Sequence, residues 1–461
     1  MQRERFSSRL GFLLISAGCA IGLGNVWRFP FVTGKYGGAA FVLLYLVFLA
    51  ALGLPIVVME LAVGRASRKS AARSFDELEP PGTVWHLHKY ACMAGNYLLM
   101  MFYTTIGGWM LIYCWHMASG AFSGRRAEAV SRVFGEMQGN PLLMAGAMAA
   151  VVAGCFTVCS FGLQKGVEKI TKWMMLCLLG IMGVLAVHSL TLPGAGEGLA
   201  FYLRPDFSKL TENGLFRAVF DAMGQAFFTL SIGMGSLAVF GSYIDKQRTL
   251  TGEAVRITLL DTGVALMAGL IIFPACFTYG VRPDSGPNLI FVTLPNVFSA
   301  IPGGRVWGTL FFIFLLFAAL STILAVFENI ITCWMDLKGW SRRKAVLINL
   351  AAVLVLSMPC VLGWSLLSEF QPLGEGSTVL DLEDFLVSNN FLPLGSLVYL
   401  LFCTRRYGWG WKSFRREANT GRGLRFPAWA RVYVSYILPV IVLFIFVQGY
   451  LSRFFPRLSG G

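Results

Sequence analysis

The stretch GFLLISAGCAIGLGNVWRFPFV at 11–32 decides the fold. It is apolar on nearly every side and reads as one helix, yet Gly22, Leu23 and Gly24 interrupt it. A glycine inside a helix costs roughly 1 kcal/mol against alanine. Two of them flanking one position invite the backbone to unwind. A second stretch, AVFDAMGQAFFTLSIGMGSLAVFGSYI at 218–244, is interrupted in the same way at Gly233, Met234 and Gly235. In lipid an unwound turn leaves N–H and C=O groups without partners, which is tolerated only where the turn lines a cavity. Groups freed there can hold an ion and a zwitterion. Broken helices at matching places in two halves of a chain point to the binding site of a transporter.

Composition supports a membrane setting. The 461 residues are 56% hydrophobic and 13% charged, with a mean hydropathy of +0.66, whereas soluble domains are about 25% charged. About eleven apolar stretches reach spanning length. They lie near 10–34, 38–64, 87–118, 142–160, 168–190, 215–243, 253–280, 305–336, 343–358, 379–404 and 430–452. The first is too long, and too charged after its end, to be a cleaved signal peptide.

A net charge of +14 raises nucleic acid as a partner, but the placement of the charge excludes it. Arg3, Arg5 and Arg9 precede span 1, and Arg65, Arg68, Lys69 and Arg73 follow span 2. Further basic clusters sit between spans 4 and 5, after span 6, between spans 8 and 9, and at 405–425 between spans 10 and 11. All fall on one side, which the positive-inside rule makes cytoplasmic; Arg125, Arg126 and Arg132 are a mild exception. The N-terminus is then cytoplasmic and the C-terminus extracytoplasmic, in a multi-pass protein of the inner (plasma) membrane. The ten cysteines sit almost entirely within spans without ligand spacing, so they read as packing; Cys155 and Cys159 share a face with no second pair. No phosphate loop of the GxxxxGK[ST] type occurs, so nothing suggests ATP as the energy source. No nucleophile–base cluster or cofactor motif suggests an enzyme, and no obligate protein partner is evident.

Five spans separate the two breaks. An odd number per repeat inserts the second repeat upside down, so spans 1–5 (10–190) and 6–10 (215–404) read as inverted-topology repeats, with 430–452 an additional helix. The fold class is an all-α membrane protein in one transmembrane domain, 1–461. The linker 281–304 is too apolar for a simple loop and reads as a re-entrant helical pair. The basic stretch 405–429 reads as a cytoplasmic loop lying on anionic headgroups.

Longer motifs now carry a resemblance. RLG at 9–11, AIGLGN at 20–25, WRFP at 27–30 and GGAAF at 37–41 resemble the start of the neurotransmitter:sodium symporters. Glu60 with Gly64 and Arg65 continues it, as do FFTLS at 227–231, the break at 233–235, SY at 242–243 and NLIFVTLP at 288–295. The flavour is that of bacterial hydrophobic amino-acid transporters with eleven spans. The resemblance implies alternating-access symport of sodium with a small neutral amino acid.

It also implies a site. The substrate carboxylate takes the N–H groups of Leu23 and Gly24, at the positive end of a half-helix, and the Tyr103 hydroxyl. The ammonium takes carbonyls of Ala20, Phe228 and Thr229 and the Ser231 hydroxyl. The side chain meets Leu99, Tyr103, Phe228, Met234 and Val326, with Met234 adaptable in shape. Sodium prefers oxygen ligands, as hard cations do. Site 1 combines Ala20, Asn25, Thr229 and Asp261 with the substrate carboxylate. Site 2 combines carbonyls of Gly18, Ile21 and Ala318 with the hydroxyls of Ser321 and Thr322, two residues that otherwise bond their own helix backbone. Asp261 departs from the family, which usually carries Asn there, with serine or glutamate one turn on; here Ala265 follows. A carboxylate in a membrane helix is functional by default. Chloride-dependent members hold an anion near groups matching Tyr45, Gln225 and Thr229. Asp261 can supply that charge itself, so chloride is not expected to be needed, and Asp261 can carry a proton on the return step.

The resemblance pairs Arg28 with Asp384 as the outer gate, and Arg3 with Asp336 as the inner one, backed by Phe6, Ser242 and Tyr243. It gives Glu60 a structural role at the unwound segments and places Glu328 in the same region. Gly183 and Pro193 match a spacing at which the inner half of span 5 unwinds in bacterial members. Two sodium ions moving through about 100 mV supply roughly 4.6 kcal/mol. An amino-acid sensor with the same fold, or an ion channel, are the readings that compete. A channel favours a continuous polar pore, whereas here the polar groups converge on the breaks.

Overall fold

The computed structural model describes residues 6–123, 127–212, 214–280 and 289–455. Among them nine helices are long and apolar enough to cross a membrane, and the bent pair Arg9–Ala20 and Gly24–Lys35 makes a tenth span. Leu215–Thr229 and Ser236–Tyr243, each too short to cross alone, make a second broken span and bring the total to eleven. The spans are then 1 (the bent pair), 2 (Ala39–Ser67), 3 (Trp85–Ser119), 4 (Pro141–Ser160), 5 (Leu163–Leu190) and 6 (the second broken pair). The rest are 7 (Leu250–Thr278), 8 (Gly304–Lys338), 9 (Arg342–Leu362), 10 (Val379–Thr404) and 11 (Ala430–Phe454). Among the described residues the only β pairing is one bridge between Arg248 and Arg422.

Five π-helical turns share a cause that is visible in the sequence. The segments Gly24–Arg28, Leu49–Gly53, Leu289–Thr293, Val387–Phe391 and Tyr433–Ile437 each end two residues before a proline: Pro30, Pro55, Pro295, Pro393 and Pro439. Proline lacks an N–H, and its ring collides with the carbonyl four residues back. Widening that turn removes the collision while the helix continues.

Span 1 bends by 56° at its break. It lies in the middle of the bundle and touches spans 5, 7 and 8, while span 8 runs along span 3. The second half of span 6 packs on span 2 at backbone distance. A Cβ on Gly64 would come within 1.8 Å of the Ala238 carbonyl, and one on Gly241 within 2.5 Å of the Leu61 carbonyl. Small residues permit this approach in membranes.

Two expectations change, and a third is described only in part. Within 281–304, residues 281–288 lie outside the described residues. The described remainder holds one short helix, Leu289–Ser299, whose Phe291 joins an aromatic cluster with Trp109, Tyr113 and Phe134. The stretch 405–429 is not only a loop on headgroups. Helix Trp411–Ala418 docks on the protein through Glu417, which takes Arg65 Nε at 2.7 Å and Lys246 at 3.3 Å. In span 5, Gly183 lies inside the unbroken helix Lys169–Leu190 and Pro193 lies in the turn beyond it, toward the end opposite the basic face. The irregular turn of this span is Leu163–Glu168, at its start. All ten cysteines are free thiols.

Candidate functional site

The two breaks face each other at the centre of the bundle. In the first, Ile21 turns extended (φ −65°, ψ 103°). The Gly22 N–H donates to Asn25 Oδ1 at 3.1 Å, and the Leu23 N–H donates to the Tyr103 hydroxyl at 2.9 Å. In the second, Ser231, Gly233 and Gly235 all have left-handed or positive φ (50°, 96° and 78°). Glycine is needed at 233 on steric grounds as well, since a Cβ there would lie 2.4 Å from the Leu392 carbonyl.

The back of the second break is held by buried polar side chains. Glu60 Oε1 accepts from Gly233 N–H at 2.7 Å and Gly235 N–H at 3.3 Å. Asn96 donates to the Met234 carbonyl at 2.9 Å, and Asn329 donates to Asn96 Oδ1 at 2.9 Å and Ser236 Oγ at 3.1 Å. Unpaired buried peptide groups are costly, so these three residues are what keep span 6 open at low energy. Glu328 does not join them. It takes Arg342 through both oxygens, at 2.7 and 2.8 Å, and Tyr243 and Thr332 at 3.3 Å, because Arg342 reaches it from the start of span 9.

Between the breaks lies a cavity of about 20 Å³. Its walls include Ala20, Gly24, Leu99, Tyr103, Phe228, Ser231 and Met234, all anticipated from sequence, together with Gly22, Thr322, Val387 and Leu392. Val387 and Leu392 carried one usable signal, the Pro393 that widens their turn. Leu23 faces the outer vestibule instead. Thr229 and Val326 are buried and do not line the cavity. Among the described residues no charged side chain borders it. Tyr103 and Phe228 also border the vestibule of about 630 Å³ above. They form the partition between the two.

Asp261, fully buried in span 7, is bound on both oxygens. Asn25 Nδ2 donates to Oδ1 at 2.8 Å and the Thr229 hydroxyl donates to Oδ2 at 3.1 Å. The Tyr45 hydroxyl lies beside the same group, and Gln225 donates to the Gly24 carbonyl at 2.9 Å. The residues anticipated for sodium site 1 thus adjoin the first break. Those anticipated for site 2 also come together. The Thr322 hydroxyl is 3.3 Å from the Gly18 carbonyl, 3.2 Å from that of Ile21 and 3.5 Å from that of Ala318. The Ser321 hydroxyl is 3.4 Å from Ile21 O and 2.9 Å from Ala318 O. Three carbonyls and two hydroxyls from spans 1 and 8 form an oxygen cluster that suits a small hard cation. Among the described residues no group of three His, Cys, Asp or Glu offers an alternative metal site. Ser321→Ala and Thr322→Val are each expected to raise the sodium concentration for half-maximal substrate binding by about tenfold, the order of one charge-assisted contact. A sodium titration of substrate binding checks this, and an unmoved curve would exclude the cluster as a sodium site.

The vestibule is bordered by Arg28 and Asp384. No ion pair joins them. Arg28 lies over the Phe228 ring at 4.6 Å, and Asp384 accepts from the Ser388 hydroxyl at 2.8 Å. On the basic face a recess of about 350 Å³ is bordered by Phe6 and Tyr243. Phe6 meets the Tyr243 ring edge-on at 5.5 Å, and Ser242 bonds the Val239 carbonyl. Asp336 accepts from the Ser70 N–H at 2.6 Å, while Arg3 lies outside the described residues. Sequence reasoning missed Glu168, which collects the amides and hydroxyls of Ser7 and Ser8 and fixes the segment ahead of span 1.

Known proteins resemble this chain along nearly its whole length. A profile of the sodium:neurotransmitter symporter family matches residues 3–126 and 133–457. An uncharacterized sodium-dependent transporter of Bacillus subtilis is 34% identical over 96% of this chain and 97% of its own. The sodium- and chloride-dependent GABA transporter 2 of Bos taurus is 27% identical over 89% of this chain and 74% of its own. The crystal structure of MhsT in complex with L-phenylalanine superposes with a TM-score of 0.86 at 38% identity, covering 96% of this chain and 99% of that one. The chain therefore belongs to the sodium:neurotransmitter symporter family, a multi-pass membrane transporter and not an enzyme.

Proposed function

We propose that this symporter carries neutral hydrophobic L-amino acids, aromatic ones included, into the cell with two sodium ions and without a need for chloride. The observation that carries the substrate class is the cavity between the breaks, walled by Leu99, Phe228, Met234, Val387 and Leu392 without a charge. A charged side chain there would be desolvated and unpaired, which is prohibitive. The amino and carboxylate ends meet the polar edge, Tyr103, Ser231 and the unwound peptide groups. At about 20 Å³ the closed cavity has room for roughly one water, so leucine or phenylalanine is admitted as its walls part, the side chain then lying against the apolar wall; lysine and glutamate would find no partner for their charge there. The Asp261 carboxylate beside Asn25 and Thr229 supplies the negative charge that favours a nearby sodium. The bound L-phenylalanine of the MhsT structure agrees with the substrate class.

Spans 1–5 and 6–10 act as the two inverted repeats, with span 11 outside them. The basic face is cytoplasmic, which places the N-terminus inside, the C-terminus outside and the vestibule toward the exterior of the plasma membrane. Binding of an amino-acid panel to the purified protein, in sodium and in potassium, tests the substrate reading. Leucine, phenylalanine and their neighbours should bind only in sodium, at least about a hundredfold more tightly than lysine or glutamate. Equal binding of charged amino acids would overturn it.

A further inference from the structure

The segment joining spans 10 and 11 concentrates charge of one sign. Between 405 and 425 it holds seven Arg or Lys and a single acid, Glu417. That acid is occupied within the protein by Arg65 and Lys246. Arg406, Lys412, Arg416, Arg422 and Arg425 are exposed and form no ion pair with a carboxylate among the described residues. Large aromatic side chains stand beside them: Tyr407 is 57% exposed, Trp429 78% and Tyr436 59%. Tyr and Trp at a span end beside Arg mark the depth of lipid headgroups. Arg405 joins the two features, since its guanidinium lies 4.7 Å over the Tyr436 ring and its buried Nε–H has no acceptor.

We propose that this corner of the basic face is a binding site for an anionic phospholipid, with the headgroup phosphate on Arg405 and the neighbouring cations and the acyl chains along the exposed start of span 11. The phosphate supplies what the protein lacks there, a counter-charge with several acceptors. The chains cover Val432, Ile437 and Val440, which are 61%, 49% and 66% exposed. The site is not an isolated patch. The Arg422 N–H donates to the Gln247 carbonyl at 2.8 Å and the Thr249 N–H to the Arg422 carbonyl at 3.3 Å. Arg65 donates to the Arg248 carbonyl at 2.7 Å. A lipid held here therefore steadies the segment that follows broken span 6. The idea rests on the basic face being cytoplasmic only for which leaflet supplies the lipid.

The test is native mass spectrometry of the full-length protein in detergent, with phosphatidylglycerol or phosphatidylcholine added. Phosphatidylglycerol should bind at least about tenfold more tightly, and each cation removed should weaken it about fivefold. Two double variants, Arg405→Gln with Arg406→Gln, and Arg406→Gln with Arg425→Gln, should lose that preference; the second pair is exposed and keeps the fold. Sodium-dependent amino-acid binding, retained in both, separates this result from a failure of the transport reading. Equal binding of the two lipids, or a preference unchanged in both variants, would overturn the site. Displacement of the lipid by inorganic phosphate alone would make it a soluble-anion site and would overturn it equally.

Discussion

Asp261→Asn should abolish amino-acid uptake in chloride-free medium, and added chloride should restore part of it. The carboxylate is buried and touches Asn25 and Thr229, two residues of the anticipated first sodium site. A carboxylate about 4 Å from a cation contributes about 4 kcal/mol at an effective dielectric of 20. Asparagine keeps an oxygen ligand and loses the charge. Even after half of that term is recovered by relaxation, the remaining about 2 kcal/mol lowers sodium affinity about thirtyfold, enough to leave a sodium-driven cycle without its bound ion at sodium levels that just saturate the wild type. Tyr45 and Thr229 remain beside the lost charge, and a chloride drawn to them is expected to replace it. Sodium titrations of uptake by wild type and variant, each with chloride or gluconate, check the result. Full uptake by the variant in gluconate would remove Asp261 from the sodium mechanism. Collapse of wild-type uptake in gluconate would show that chloride is required after all.

Gly22→Ala should have an effect of similar size through geometry. A Cβ at this position would sit 2.3 Å from the Tyr103 hydroxyl and 2.7 Å from Thr322 Oγ1. Both are far below contact distance, and both atoms stand in the proposed sites: the Tyr103 hydroxyl at the cavity between the breaks, Thr322 Oγ1 in the oxygen cluster proposed for the second sodium. Either Tyr103 moves off the Leu23 amide or Thr322 leaves the carbonyls of Gly18 and Ile21. Loss of one such polar contact costs about 1.5–3 kcal/mol, so binding should weaken at least about tenfold for substrate and sodium together. Isothermal titration of both ligands measures it. A Tyr103→Phe background sharpens the reading, because removing the hydroxyl should relieve part of the clash. Unchanged affinities in Gly22→Ala would mean that the break does not approach Tyr103 and Thr322 in the working protein.

Much of this arrangement was legible because it rests on residues with strong local rules. Gly22 and Gly24, and Gly233 and Gly235, mark the breaks by their helix penalty. The prolines at 30, 55, 295, 393 and 439 could have announced the wide turns, since the collision is local. What escaped depends on side chains distant in sequence. Nothing near Glu328 identifies Arg342 as its partner in place of the unwound helices. The pairing of Arg65 with Glu417 spans most of the chain and turns an expected surface loop into a docked helix. Glu168 gave no local sign that it would gather Ser7 and Ser8. Val387 and Leu392 look like ordinary lipid-helix residues until span 10 is placed beside the breaks. Val326, assigned to the side-chain pocket by resemblance, is buried outside the cavity lining, and Thr229, assigned through its carbonyl, turns its hydroxyl to Asp261.

Uptake into proteoliposomes tests the central claim most directly. Labelled L-leucine or L-phenylalanine is supplied outside, with an inward sodium gradient or with potassium on both sides. Accumulation above the external concentration, present only with the sodium gradient and abolished when it is dissipated, is the expected result. Binding without accumulation would instead make the protein a sensor built on a symporter fold, and conduction of sodium without substrate would make it a channel.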